Sequence, residues 1–153
     1  MTSRDHTRFC VSADAGVMVY EWESAGLKTL FQQQTELAFQ PAILAPNGNR
    51  LVLRTKTPSE FQLLDVTSSP ATVLDRMQVD IRFPKAEIFK DDESFLAAAN
   101  VTGGAGSRLV SIAGDKLKLA TALDNVVTMP FQRPQFLDSG RLCVAADRTE
   151  GPA

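Results

Sequence analysis

The stretch FLDSGRLCVAAD, Phe136 to Asp147, sets an Asp, a Ser and a Gly ahead of an Arg and then runs into apolar residues. It reads as a tight turn feeding a strand, because Asp and Gly close turns and the apolar run has strand length. The same arrangement recurs in SRDHTRFCVSAD, APNGNRLVLRTK and KDDESFLAAANV. The anchor residues of these strands, Phe9, Leu51, Phe95 and Leu142, stand 42, 44 and 47 residues apart. Four residues ahead of each anchor is Asp5, Asn47, Asp91 or Asp138, side chains short enough to hydrogen-bond their own backbone. Spacing of this length marks one supersecondary unit repeated along the chain.

A second marker keeps step with the first. LAFQPAIL, IRFPKAEIF and MPFQRPQFL each set a Phe shortly before a Pro and an apolar strand, with Phe39, Phe83 and Phe131 spaced by 44 and 48. Pro cannot donate to a ladder, so it belongs at the start of a strand or at a bulge. Between the markers lie short apolar segments at residues 17–20, 61–66 and 109–112, then 27–31, 71–74 and 117–120. They are rich in Val, Ile, Leu and Phe and bounded by Gly, Ser, Asp or Pro, which is the strand signature.

Each period therefore reads as four strands, a to d. Residues 37–75 and 83–121 make two complete units, residues 7–34 give strands b, c and d of an opening unit, and residues 127–148 give a and b of a closing one. Four-stranded antiparallel units at this period are the blades of a β-propeller. The expected fold is all-β, a partial β-propeller of about three and a half blades in a single domain over residues 1–153. So short an arc needs a cover for its end blades. Three explanations stand open: the chain is the N-terminal part of a longer protein cut at DRTEGPA, another subunit completes the arc, or the strands build a different sandwich or barrel.

Composition sets the function classes. Hydrophobic residues make up 44% and charged residues 22%, ordinary globular values, and the net charge is −2. A strong phosphate footprint, and with it DNA binding, is not expected at that charge. No apolar run approaches the ~20 residues that cross a bilayer, and MTSRDHTR lacks the apolar core of a secretory signal, so the expected compartment is the cytoplasm. Cys10 and Cys143 have no metal-ligand spacing and read as small buried hydrophobes.

Catalytic chemistry finds little to use. The single histidine, His6, falls within the first turn and forms no known nucleophile motif with Ser12 or Cys10, so it reads as a solvated turn residue. One His and two distant Cys do not make a zinc site. Asp91, Asp92 and Glu93 lack calcium-loop spacing and fall on the repeat's turn, and TGGAG at residues 102–106 is followed by a strand where a phosphate cradle needs a helix. No catalytic residue, cofactor or metal is assigned, and the chain is not expected to be an enzyme. Tyr20 and Trp22 are the candidate interface aromatics, with strand alternation taken to bury Tyr20 and expose Trp22.

The chain as a whole resembles the WD-repeat-like β-propellers. Tyr20 with Glu21, and Leu64 with Asp65, sit where that family places an apolar residue and an acid at the end of strand c, although the Trp-Asp dipeptide itself is absent. Within the class, RFCVSADAGVMVYEW followed by LAPNGNRLVL, and later RPQFLDSGRLCVAAD, look most like the N-terminal propeller of eukaryotic translation initiation factor 2A. That resemblance implies a non-catalytic scaffold with protein partners, the ribosome among them. RDHTRFCVSADAGVMVYEW also resembles the first blade of the phosphoinositide-binding propellers of autophagy, but the paired arginines with which that family reads its lipid do not occur in this sequence. Membrane binding is accordingly not expected.

Overall fold

The structure, a computed structural model, describes residues 2–13, 16–34, 42–55, 60–79, 84–99, 107–123, 135–136 and 142–143. Thirteen strands and no helix occur among them. β1 (Arg8–Ala13), β2 (Gly16–Glu23) and β3 (Gly26–Gln33) form one antiparallel sheet in chain order. β4 (Ala42–Leu44), β5 (Arg50–Arg54), β6 (Glu60–Asp65) and β7 (Thr72–Gln78) form a second, and β8 (Pro84–Asp91), β9 (Ser94–Ala99), β10 (Ser107–Ala113) and β11 (Lys116–Leu123) a third. β12 (Gln135–Phe136) pairs with β13 (Leu142–Cys143) in a fourth. We call these sheets blades 1 to 4.

The anchors hold equivalent registers. Leu44 lies opposite Leu51, Phe89 opposite Phe95 and Phe136 opposite Leu142. In blade 1 the residue opposite Phe9 is Thr2, joined by an isolated bridge, so Thr2 stands at the strand-a position of that sheet. Pro84 opens β8, where no ladder donor is required. Phe39, Phe83, Phe131 and the glycine-rich 102–106 segment lie outside the described residues.

Blade 2 is apolar on both sides because it is covered on both sides. Ala42, Leu44, Leu51, Leu53, Leu64 and Val66 pack with Cys10, Val17, Val19 and Leu30 of blade 1. The alternate residues Ile43, Ala45, Val52, Phe61 and Leu63 pack with Phe95, Ala97, Val110 and Ile112 of blade 3. A strand presents successive side chains to opposite faces, so a sheet buried twice carries unbroken runs such as AILA and LVL. Inner strand β4 touches β8, outer strand β7 touches β11, and successive sheets therefore stack as leaves in chain order. The fold is a partial β-propeller.

One irregularity repeats in all three larger sheets. Strands c and d slip register between Val19 and Tyr20, between Leu63 and Leu64, and between Leu109 and Val110. The residue passed over on strand d is Leu30, Leu74 or Ala120. Leu30 is buried in one inter-sheet core and Leu74 packs against the other. A bulge bends its strand and raises its twist, here at the same place in each leaf.

Phe61 meets Phe95 edge-on across the contact of blades 2 and 3, with ring centroids 5.6 Å apart, and both are fully buried. Phe61→Ala is expected to lower stability by about 3–5 kcal/mol in urea unfolding. Val73→Ala, at a position 43% exposed, is expected to stay within about 0.5 kcal/mol.

Candidate functional site at the turn rim

The turns between strands a and b gather at one end of successive sheets, and each is closed by its own side chain. Asp5 Oδ1 accepts the Thr7 N–H at 3.1 Å, Asn47 Oδ1 the Asn49 N–H at 2.9 Å, and Asp91 Oδ1 the Glu93 N–H at 2.9 Å. These are the residues four before each anchor, and the bond is local, two residues ahead. Asp138, the fourth, lies outside the described residues. The following position has φ 60° at His6 and φ 75° at Gly48. His6 thus occupies a left-handed site that its counterpart fills with glycine, the residue without a Cβ penalty.

A second repeated bond ties the end of strand c to this turn. Trp22 N–H donates to Thr7 O (2.7 Å), Val66 N–H to Asn49 O (3.0 Å) and Ile112 N–H to Glu93 O (2.5 Å). Arginine straps then join neighbouring turns. Arg8 donates to Glu21 Oε1 through Nε at 2.8 Å, and its Nη1 reaches Gly48 O at 3.2 Å and Asn49 Oδ1 at 2.9 Å in blade 2. Arg50 pairs with Asp65 at 2.9 Å and with Asp115 of blade 3 at 2.8 Å. Asn47 N–H donates to Asp92 Oδ1 of blade 3 at 2.7 Å.

Where the inner strands end, an open cavity of about 610 Å³ is lined by Arg4 and His6 of the first turn, Leu44 at the end of β4 with Pro46 of the second turn, and Phe89 near the end of β8. Leu44, Pro46 and Phe89 give it an apolar wall opposite the polar Thr2, Ser3 and His6, and its rim carries a cation, since the Arg4 side chain is 75% exposed with only a 4.0 Å approach to Asp92. Beneath it Ser3 is buried, and its hydroxyl donates to Asp5 Oδ1 at 2.6 Å while accepting the Arg8 N–H at 2.9 Å. The Ser3 hydroxyl, with the Thr7 N–H and hydroxyl, holds the Asp5 carboxyl down to about 2. Hydrogen bonds from Arg8 likewise depress the Glu21 carboxyl, and the Leu117 N–H that of Asp75.

The singled-out residues fall as follows. His6 is exposed on the rim and lines the cavity. Asp91, Asp92 and Glu93 close the β8–β9 turn, Asp91 as its cap and Asp92 as a link to blade 2. Cys10 is a thiol buried in the core of blades 1 and 2, and burial raises its pKa. The alternation expected of Tyr20 and Trp22 needs correcting, because residues two apart share a face. Trp22 is 63% exposed, while Tyr20 is half-buried with its ring 5.4 Å from Phe9. The straps of Arg8 and Arg50 and the cavity were not foreseen. Their one sequence signal is an Arg directly before the anchor, at Arg8, Arg50 and Arg141.

No protein-family model matches the sequence. No curated protein matches it either. Among solved structures the chain is similar to a protein from Lactobacillus plantarum, at 17% identity and TM-score 0.56, covering 95% of this chain and 53% of that one. It is similar to TolB from Acinetobacter baumannii at 10% identity and TM-score 0.54, covering 98% and 37%. The WD40 domain of SCAP from fission yeast aligns at 18% identity and TM-score 0.49, covering 99% and 42%. The chain thus spans about half or less of the length of these structures. The likenesses concern the fold.

Two measurements test the rim. Asp5 is ionised in the folded chain down to about pH 2, below its ordinary 3.8, so its contribution is complete above pH 3.8 and is lost as pH falls toward 2. The urea midpoint is expected to drop across that window, and less steeply in Asp5→Asn. His6→Gly is expected to leave stability unchanged or raise it by up to about 1 kcal/mol, whereas the β-branched His6→Val loses at least that much.

Proposed function

We propose that this chain is a non-catalytic docking scaffold that holds a protein partner at the turn rim. The observation that carries the reading is the cross-bonding of turns from blades 1, 2 and 3 through Arg8, Arg50 and Asn47. Loops bonded to one another present a preorganised surface, which spares a partner the ordering cost of free loops. The cavity beside them offers Leu44, Pro46 and Phe89 to an apolar side chain and Arg4 to an acidic group.

The finer reading is a scaffold of the translation-initiation type, acting in the cytoplasm with the ribosome or other initiation factors as partners. It draws on the order of RFCVSADAGVMVYEW and LAPNGNRLVL, which the structure realises as β1, β2 and a turn leading into β5. No observation favours the phosphoinositide alternative, since adjacent arginines do not occur in the sequence.

Co-sedimentation with 40S ribosomal particles is expected to persist in moderate salt and to weaken about tenfold in Arg4→Glu, the loss of one favourable charge contact. Absence of co-sedimentation, or binding indifferent to Arg4, removes the translation reading. Turnover on a hydrolase panel that is abolished by His6→Ala removes the non-catalytic one.

A further inference from the structure

Three residues of the rim cavity hold one register position. Thr2 lies opposite Phe9, Leu44 opposite Leu51 and Phe89 opposite Phe95, so each is the strand-a residue that faces an anchor. Leu44 and Phe89 are 4% and 7% exposed, and each belongs to one of the two inter-sheet cores. Thr2 is exposed and short. Blade 1 thus lacks, at this position, the apolar bulk that blades 2 and 3 supply, and the cavity opens where it is missing. A socket whose apolar wall its own chain leaves uncovered gains by taking an apolar group from outside.

The charges at its mouth are one-sided. Arg4 and His6 are the titratable residues of the lining, and no acid stands among its described residues. The neighbouring carboxylates are engaged: Asp5 accepts the Ser3 hydroxyl and both the N–H and hydroxyl of Thr7, and Asp92 Oδ1 accepts the Asn47 N–H. Among the described residues the Arg4 guanidinium has only its 4.0 Å approach to Asp92, so it keeps donors for a further carboxylate. The mouth is also fixed in place. Arg4 N–H donates to Pro46 O at 2.5 Å, and a Cβ on Gly48 would stand 3.0 Å from Ser3 Cβ, so the first two turns are in close contact.

On the reading of the rim as a docking surface, we infer that the cavity is a socket for an acidic segment of a partner protein, in which a Glu or Asp adjoins a Phe or Leu. The apolar side chain takes the place left open by Thr2, against Leu44, Pro46 and Phe89, and the carboxylate pairs with Arg4. The buried apolar anchor supplies most of the affinity, and the charge pair selects the segment.

The test is fluorescence anisotropy of a labelled, end-capped hexapeptide with Glu-Phe at its centre, titrated with the full chain to about 1 mM. Saturable binding is expected. Exchanging the peptide Phe for Ser weakens it about 30-fold or more, the scale of a hot-spot loss. Arg4→Glu, or Lys in place of the peptide Glu, weakens it about tenfold, and the two changes together restore it. Thr2→Leu, which supplies the missing side chain in cis, weakens it at least about tenfold. Because Thr2 is exposed, the same variant keeps the wild-type urea midpoint. Lys118→Glu, the same charge change at an exposed position of β11, leaves binding unchanged. Absence of saturable binding, or binding indifferent to the peptide Phe, to Thr2→Leu or to the charge exchange, overturns the inference. Co-sedimentation that still depends on Arg4 then leaves the docking reading standing, whereas peptide binding without such co-sedimentation removes only the translation reading.

Discussion

The three inner strands of the middle sheet have no solvent face. β4, β5 and β6 give alternate side chains to blades 1 and 3, and Ile43, Leu51, Val52, Phe61 and Leu63 are all fully buried as a result. Burying apolar area at roughly 25 cal/mol per Å² is the main stabilising term for such a stack. Neither neighbouring sheet has a core of its own, so the cores exist only between leaves. Each sheet is therefore stable in proportion to what covers it, which makes order along the chain a structural requirement. The repeated bulge on strand d serves the same end, because Leu30 and Leu74 reach the neighbouring core from the residue that the ladder passes over.

Local chemistry was legible in the sequence and non-local chemistry was not. The turn residues Asp5, Asn47 and Asp91 declare themselves because their bond spans two residues. Strands were found by their apolar centres and came out short. Residues 17–20 mark only the middle of Gly16–Glu23, because ladder bonds continue through the polar EWE end without regard to side chain. The bulge left no trace, since Leu30, Leu74 and Ala120 resemble their neighbours in composition. His6 concealed a left-handed position that glycine advertises at Gly48, and only alignment of the two turns reveals it. The Arg8 and Arg50 straps cross 13 to 65 residues of chain, a separation that no windowed pattern contains.

Blade 3 shows what the straps require. Arg8 faces Glu21 and Arg50 faces Asp65 across strands b and c, while the same register in blade 3 pairs Ser94 with Ser111. Both charges are gone together. With side chains 16% and 20% exposed in the first pair and 23% and 28% in the second, removal of one partner alone would strand a half-buried charge, which costs more than the intact pair contributes. Two small hydroxyls avoid that cost, and Ser94 spends its own on Asp91 at 2.8 Å. Blade 3 still receives a strap, because Asp115 accepts Arg50, but Ser94 has no guanidinium to send onward. The cross-bonded rim is thus a directed chain that runs from blade 1 into blade 3, and the cavity lies beside its first two turns, closed on the blade 3 side by Phe89 of β8.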